Sequence, residues 1–113
     1  MTTLYHNPRC SKSREALHLL EEAGETVEIV KYLDTPPSKK KLKQILSLLD
    51  IKPIDLVRVK EKEWKENYKG KTLSDDEIID AMVRFPRLIE RPIAVKGLHA
   101  AVGRPPENVL EVL

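Results

Sequence analysis

The stretch Thr3–Arg14 (TLYHNPRCSKSR) decides the fold and contains the only cysteine of the chain, Cys10. Residues 1–6 have the apolar pattern of a short strand, and Asn7–Pro8 is a turn pair. A helical pattern then opens at about Cys10 and carries apolar residues on one face: Leu17, Leu20 and Ala23. The sequence therefore predicts a strand, a tight turn and a cysteine at the start of a helix.

Cys10 is the first candidate for chemistry. Unpaired backbone N–H groups and the positive end of the helix dipole favour a thiolate at a helix start. Three neighbours add positive charge: Arg9, Lys12 and Arg14. We therefore predict a pKa of Cys10 below the free value of about 8.5. The alternative is a small buried hydrophobe without a role, but the basic residues on both sides favour a functional thiol.

The composition predicts one globular domain. A chain of 113 residues is long enough for a single core, and 41% hydrophobic with 34% charged residues argues against disorder. No apolar run approaches the length that spans a bilayer, and residues 1–6 enter a strand pattern without a basic-then-apolar leader. The expected location is therefore the cytoplasm, with no membrane partner.

The few cysteines and histidines limit the possible chemistry. One cysteine cannot form an intramolecular disulfide, so if Cys10 does redox chemistry the resolving thiol must come from another molecule, such as glutathione, a glutaredoxin or a second subunit. One Cys and three scattered His do not favour a metal site, and no tightly bound organic cofactor is expected.

The net charge of +2 does not imply a polyanion partner. The basic run Lys39–Lys43 is interpreted as a solvated helix face, and no nucleic-acid partner is expected.

The first third of the chain has the pattern of a βαβ unit. A helix is predicted from about Ser11 to Ala23, where Gly24 can end it. Val27–Leu33 then has the pattern of a second strand. Because the two strands are joined by a helical crossover, they are predicted to be parallel. The loop Asp34–Ser38 contains two prolines, which stop both kinds of element.

The region 38–85 has helical patterns throughout. Ser38 can cap a helix with apolar residues at helical spacing: Leu42, Ile45, Leu46 and Leu49. Further helical turns are predicted from about Pro53 and over Lys60–Tyr68. Ser74–Glu77 has the pattern of a capping box, for a helix that ends before Pro86. The region is short and highly charged, so it is predicted to be an insertion rather than a separate domain.

Short strands are predicted again after residue 86: Leu88–Ile89, Ile93–Val95 and Leu98–Val102, with a hairpin turn at Lys96–Gly97 and a final short helix. The element order is that of a thioredoxin-like fold. The predicted class is α/β, with a mixed β-sheet flanked by helices. Residues 1–113 are predicted to form a single domain, with an all-helical insertion over approximately residues 38–85.

Four segments of the chain resemble the ArsC family, the glutaredoxin-linked arsenate reductases and their relatives. The segment His6–Arg14 (HNPRCSKSR) resembles the active-site segment of that family. Three further segments follow in the family's order and extend the resemblance over nearly the whole chain: Leu56–Arg58, Glu90–Ile93 and Gly103–Glu107. Family members that reduce arsenate have a small residue before the cysteine and Gly-Thr after it, whereas this chain has Arg9 and Ser11–Lys12.

The resemblance implies arsenic detoxification by reduction of arsenate to arsenite. Cys10 would be the nucleophile, and glutathione with glutaredoxin would resolve the adduct. Three arginines would surround the oxyanion and the adduct: Arg58, Arg91 and Arg104. Arginine suits this role because its planar fork can donate two hydrogen bonds to one anion and its charge favours attack by a thiolate. The remaining arginines near these segments are expected at the surface: Arg14, Arg84 and Arg87.

The resemblance also implies supporting roles for three residues. His6 would act as an electrostatic partner of Cys10, and the Ser13 hydroxyl would donate to the thiolate. In thioredoxin-like folds a cis-proline precedes the strand beside the active-site cysteine, and Pro92 is the candidate. The alternative is an ordinary trans-proline at the start of a strand.

Two other functions fit the same fold. Regulators that resemble Spx bind RNA polymerase without turning over a substrate, and their redox-sensing members carry a Cys-x-x-Cys pair. This chain has Ser13 at the second position, which excludes a disulfide switch, and a redox-inert binding module would use Lys39–Lys43 as its surface. The other alternative is reduction of a different small oxyanion, or of a glutathione mixed disulfide, because arginines recognise charge and geometry rather than the central element.

Overall fold

Four short strands form the β-sheet of the computed structural model, which describes residues 1–113. In chain order the strands are β1 (Thr2–Tyr5), β2 (Val27–Val30), β3 (Ile93–Lys96) and β4 (His99–Val102). Their spatial order is β2-β1-β3-β4. β1 and β2 are parallel, as the βαβ pattern predicted, and β3 is antiparallel to both β1 and β4. The predicted α/β class with a mixed sheet is confirmed.

The strand directions determine where functional residues meet. Tyr5, at the end of β1, pairs with Val30 at the end of β2 and with Ile93 at the start of β3. One edge of the sheet therefore brings together the residues that follow β1, the residues that follow β2 and the residues that precede β3.

Two helices cover this sheet: α1 (Ser11–Glu22) and a C-terminal 3₁₀ helix (Pro106–Val112). The shared core consists of buried apolar residues: Leu4, Ala16, Leu20, Ala94, Ala101, Val109 and Val112. Burying a leucine or valine side chain stabilises a fold by roughly 1.5–3 kcal/mol. α1 ends at Glu22 with Ala23 as its C-cap, and Gly24 follows with a φ of +83°, in the left-handed region that the sequence predicted for this glycine.

Chain contacts divide the molecule into two compact units, a sheet unit (Met1–Thr35 with Arg91–Leu113) and a helical unit (Pro36–Glu90). The helical unit contains α2 (Lys39–Leu49), α3 (Lys62–Asn67) and α4 (Asp75–Arg84). Single-domain organisation stays a prediction. No helix in the structure has the length and apolar character needed to cross a membrane.

Both predicted caps of the helical unit are present. The Ser38 hydroxyl accepts from the backbone N–H of Lys41 at the start of α2. At the start of α4, Ser74 and Glu77 form a reciprocal capping box, with distances of 2.9 and 3.2 Å. Such caps could be predicted because their partners lie within three residues along the chain.

The predicted extent of the second strand was wrong. β2 ends at Val30 rather than Leu33, because its partner β1 ends at Tyr5 and His6 N–H makes the last bond, to Val30 O at 2.9 Å. The chain then turns, with the N–H groups of Asp34 and Thr35 bonded to Lys31 O.

The predicted strand at Leu88–Ile89 was also wrong. Pro86–Leu88 is a 3₁₀ helix, and Ile89 forms only an isolated bridge to Val57. The N–H groups of Leu88 and Ile89 bond to the carbonyls of Phe85 and Pro86, and Leu88 O accepts from Arg58 N–H, so these groups are satisfied within the helical unit. The β3–β4 hairpin turns at Gly97, where φ is +59°. Leu98 was predicted as the first residue of the last strand, but it is exposed and lies in the turn, outside β4.

Replacing Gly103 with alanine is expected to destabilise the sheet unit. An added Cβ would lie 2.7 Å from the side chain of Pro92 and 2.9 Å from the side chain of Val109, both of them fully buried. Overpacking of this kind costs about 1–3 kcal/mol. Urea unfolding of the wild type and Gly103→Ala measures the difference, and an unchanged midpoint would contradict the packing described for Gly103.

Candidate active site

Cys10 occupies the N-cap position of α1, at the edge of the sheet where β1 ends. Its backbone N–H bonds to Asn7 O at 3.0 Å, and Asn7 Oδ1 accepts from the N–H of Arg9 at 3.0 Å. The Asn7–Pro8 turn is therefore held by its own hydrogen bonds. The side chain of Cys10 is partly exposed, so a small molecule can reach the sulfur.

The pKa of Cys10 is lowered. Burial of the thiol acts in the opposite direction and raises the pKa. The backbone N–H of Ser13, the hydrogen bond and charge of Arg91, and the backbone N–H of Lys12 together outweigh burial. Two of these three sources belong to the first turn of α1, where unpaired N–H groups stabilise an anion. The direction is the one that the sequence predicts.

Arg91 contacts the thiol from the loop that precedes β3. Burial of its guanidinium acts to lower the pKa of Arg91, but a hydrogen bond to Cys10 and the interactions with Cys10 and Tyr32 outweigh burial and raise that pKa. The Arg91–Pro92 peptide bond is cis. The cis bond thus stands directly between Arg91 and β3, at the edge of the sheet that carries Cys10.

Arg104 contacts the thiol from the loop after β4. Its Nη2 lies 3.6 Å from the sulfur of Cys10, and its Nε donates to the backbone oxygen of Arg91 at 2.9 Å. The Arg104–Pro105 bond is a second cis peptide, which the sequence analysis did not predict. The structure thus brings Cys10, Arg91 and Arg104 together in the sheet unit.

His6 and Ser13 lie beneath the turn and contact each other. His6 Nδ1 and Ser13 Oγ share a hydrogen bond of 2.6 Å, and Ser13 Oγ also accepts from the backbone N–H of Asn7 at 3.0 Å. The hydroxyl of Ser13 therefore braces the turn, and it is the backbone N–H of Ser13 that stabilises the thiolate. Burial, followed by Lys31 and Arg14, lowers the pKa of His6, so a neutral ring rather than a cation is favoured there.

Arg58 belongs to the helical unit, where two carboxylates hold its guanidinium. Nη1 lies 2.7 Å from Glu90, and Nε lies 3.3 Å from Glu61. Its backbone N–H also bonds to Leu88 O at 2.7 Å. The role of Arg58 beside the oxyanion stays a prediction.

The other basic residues lie at the surface. Arg14, Arg84 and Arg87 are exposed, and Arg14 donates to Pro8 O at 2.9 Å. In the basic run, Lys39 bridges Asp76 and Asp80 at 2.8 and 2.9 Å. No group of three or more His, Cys, Asp or Glu side chains is arranged to hold a metal ion.

Tyr32 is a site residue that sequence reasoning missed. It is 1% exposed, and it interacts with the Arg91 guanidinium closely enough to raise the pKa of Arg91. The only signal in the sequence is an aromatic residue at the end of a predicted strand, which is more often a core residue. Arg91 lies far along the chain, so the interaction could not be predicted from local pattern.

The lowered pKa of Cys10 is expected to appear in its reactivity. Only the thiolate reacts with iodoacetamide, so the alkylation rate should reach its plateau at a lower pH than the rate of free cysteine. Rates measured across pH, with free cysteine as the control, give the midpoint. A midpoint at or above that of free cysteine would contradict the stabilisation by Arg91 and the helix start.

Tyr32→Phe is expected to raise the pKa of Cys10. The change removes one anchor of the Arg91 guanidinium, which then spends less time beside the sulfur, while the buried ring stays in place. The alkylation midpoint should move to higher pH, and it should not move in Tyr68→Phe, which removes a hydroxyl from a residue of the helical unit. An unchanged midpoint in Tyr32→Phe would show that its hydroxyl does not position Arg91.

Comparisons with known proteins identify relatives over the whole chain. The model of the ArsC family matches residues 5–112. The chain is 48% identical to the uncharacterized protein YfgD of Escherichia coli K12, over 97% of this chain and 94% of that protein. It is 47% identical to a protein named arsenate reductase in Neisseria meningitidis serogroup A, over 97% of this chain and 96% of that one.

A solved structure of a similar protein has the same fold as this chain. The structure titled arsenate reductase from Vibrio cholerae superposes with a TM-score of 0.94 and 47% identity, covering 99% of this chain and 97% of that one. The thioredoxin-like fold that the element order predicted is thus confirmed. Both the family model and these relatives extend across the cysteine turn and the two loops that carry Arg91 and Arg104, so the chain belongs to the ArsC family.

Proposed function

We propose that this protein is an oxidoreductase that reduces arsenate to arsenite, with Cys10 as the nucleophile. The observation that carries the proposal is the contact of one thiol of lowered pKa with two guanidinium groups, Arg91 and Arg104. Relatives at 43–47% identity that are named arsenate reductase support the choice of oxyanion. Arsenate is an anion, and a cationic pocket around a thiolate is what its attack requires.

In the first step the thiolate of Cys10 attacks the arsenic of arsenate. A sulfur–arsenic bond forms, and one oxygen leaves as water after it has been protonated. Arg91 and Arg104 lie beside the sulfur and can donate to the remaining oxygens, which offsets the repulsion between two anions. From the family resemblance we propose Arg58 as the third arginine of the oxyanion site.

In the second step a glutathione thiolate attacks the sulfur of Cys10. The sulfur–arsenic bond breaks, its electron pair stays on arsenic, and arsenite leaves. Arsenic gains two electrons, and the two thiols lose them as a mixed disulfide between Cys10 and glutathione. A further thiol, from glutaredoxin or a second glutathione, then takes the glutathione group and returns Cys10 to its thiol form.

The single cysteine supports this choice of reductant, since the chain has no internal thiol to resolve the adduct. The thiols supply both electrons, so the cycle requires neither a metal nor a bound organic cofactor. A cytoplasmic location is proposed with it, because glutathione keeps thiols reduced in that compartment.

The regulator alternative depends on a basic docking surface at Lys39–Lys43. Asp76 and Asp80 of α4 pair with Lys39, and Asp76 also lies 3.3 Å from Lys43. These carboxylates offset part of the positive charge, which makes the run a weaker site for an acidic partner. Reduction of another tetrahedral oxyanion remains the second candidate, because guanidinium groups do not distinguish the central atom.

The proposal is tested by arsenate-dependent oxidation of NADPH in a mixture with glutathione, glutaredoxin and glutathione reductase. The rate should depend on arsenate, on glutathione and on glutaredoxin. It should fall when thioredoxin and thioredoxin reductase replace glutathione and glutaredoxin. No arsenate-dependent rate with any of these donors would overturn the proposed activity. Other reducible oxyanions in place of arsenate test the second candidate.

A further inference from the structure

A second concave site lies on the other side of the cysteine turn. It is a cleft of about 300 Å³ formed by the turn itself and by the segment that follows β2. Its lining includes the following residues: His6, Asn7, Arg9, Lys31, Leu33 and Asp34. The volume is at the lower end of the range for small-molecule sites. None of the three arginines assigned to the oxyanion lines it.

The sheet topology puts the two sites on opposite flanks of Cys10. β1 lies between β2 and β3, and Cys10 follows β1. Arg91 precedes β3 and contacts the sulfur on that flank, whereas Lys31, Leu33 and Asp34 follow β2 and line the cleft. Tyr32, between Lys31 and Leu33, interacts with Arg91 and is not part of the lining. Cys10 itself does not line the cleft, but its chain neighbour Arg9 does, so a molecule in the cleft lies next to the cysteine turn.

The charges in the cleft differ in kind from those on the arginine flank. Arg9 and Lys31 are cations, and Asp34 is an anion in the same lining. Asp34 would repel a small oxyanion such as arsenate, which carries only negative charge. A ligand with carboxylates and an ammonium group would find a partner for each, since cations bind carboxylates and Asp34 binds the ammonium.

The floor and wall of the cleft add polar and apolar contacts. His6 and Asn7 are buried, and Asn7 is fixed by bonds to Cys10 and Arg9, so this floor is preorganised. Leu33 is 41% exposed and offers an apolar surface to the methylene groups of a ligand. Preorganised polar groups with some apolar wall are the usual composition of a small-molecule site.

We propose that this cleft binds the thiol co-substrate, a small zwitterionic peptide thiol of the glutathione type. The proposal rests on the proposed function, which requires such a thiol to attack Cys10. Arg9 and Lys31 bind its carboxylates, Asp34 binds its α-ammonium group, and its thiol faces the sulfur of Cys10. The oxyanion and the reductant thus reach the same sulfur from different flanks.

Binding is measured without any turnover, with S-methylglutathione and the full-length Cys10→Ser protein. Neither partner can then form a disulfide. Titration followed by amide chemical shifts should move the signals of residues 6–9 and 31–34. The Kd should rise about tenfold in Lys31→Gln and in Arg9→Gln, each added to Cys10→Ser, because each loses a charge-assisted bond. Lys69→Gln, an equal change of charge on an exposed residue of the helical unit, should leave the Kd unchanged.

Asp34 is tested with two ligands. Asp34→Asn should weaken binding of S-methylglutathione but should not weaken binding of the analogue that lacks the α-amino group. A general disturbance of the cleft would weaken both ligands equally and would overturn the assignment of Asp34.

The cleft and the proposed function can fail separately. The absence of saturable binding, or a Kd that Lys31→Gln and Arg9→Gln leave unchanged, would overturn the assignment of the cleft as the thiol site, even if arsenate is turned over. Saturable binding that both variants weaken, together with no arsenate turnover, would overturn the proposed function and support the assignment of the cleft as a thiol site. If both hold, Lys31→Gln in the otherwise wild-type enzyme should raise KM for glutathione about tenfold and leave KM for arsenate unchanged.

Discussion

Cys10→Ser is expected to reduce arsenate-dependent NADPH oxidation to the background rate measured without protein. A serine hydroxyl is not ionised near neutral pH, and its oxygen cannot accept the attack of glutathione to form a disulfide. The change therefore removes both the nucleophile and the group that transfers two electrons. Because Cys10 is the only cysteine, no other residue of the chain can substitute for it.

The control for Cys10→Ser is its stability. The side chain is partly exposed and outside the apolar core, so thermal unfolding should occur at nearly the wild-type temperature. A folded Cys10→Ser protein that still reduces arsenate at a substantial fraction of the wild-type rate would show that the reaction does not pass through this thiol.

Arg91→Ala is expected to lower kcat/KM for arsenate about 10²–10³-fold. Loss of one preorganised donor at a developing anion costs about this much in other enzymes. Arg91 also lowers the pKa of Cys10, so its removal raises that pKa and reduces the thiolate fraction at neutral pH. The acid limb of the pH–rate profile should therefore move to higher pH.

Two variants separate the role of Arg91 from a general loss of charge. Arg91→Lys keeps the charge without the planar fork, so it should recover part of the activity and part of the pKa shift. Arg87→Ala removes an exposed arginine of the helical unit and should leave both values unchanged. An Arg91→Ala enzyme with wild-type kcat/KM and an unmoved pH profile would contradict the contact between Arg91 and Cys10.

Elements specified by neighbouring residues could be predicted from the sequence. The cap at Ser38, the capping box at Ser74 and the helix end at Gly24 each depend on residues within one or two turns. Errors occurred where a distant partner decides the outcome. β2 stops at Val30 because β1 stops, and Leu88 O bonds to Arg58 N–H, 30 residues earlier, rather than to the sheet.

In the candidate site, too, local features could be predicted and contacts with distant residues could not. Cys10 could be located from its turn, its basic neighbours and the helix that follows, all of them local features. The partners of Ser13 could not be predicted, because a hydroxyl one turn into a helix can bond to the thiolate or to His6 with the same sequence. Tyr32 was missed because its interaction with Arg91 depends on the arrangement of β1, β2 and β3.

The central claim is that arsenate is reduced through a covalent bond to the sulfur of Cys10. The most direct test is the intact mass of the wild-type protein, quenched in acid after a single turnover with arsenate and one equivalent of glutathione. Glutaredoxin is left out, so no second thiol is available to remove a glutathionyl group from Cys10. We expect the mass of one glutathionyl group on Cys10, formed only when arsenate is present and in proportion to the arsenite released. Arsenite released from protein whose Cys10 remains an unmodified thiol, or a glutathionyl group that forms equally without arsenate, would contradict the account.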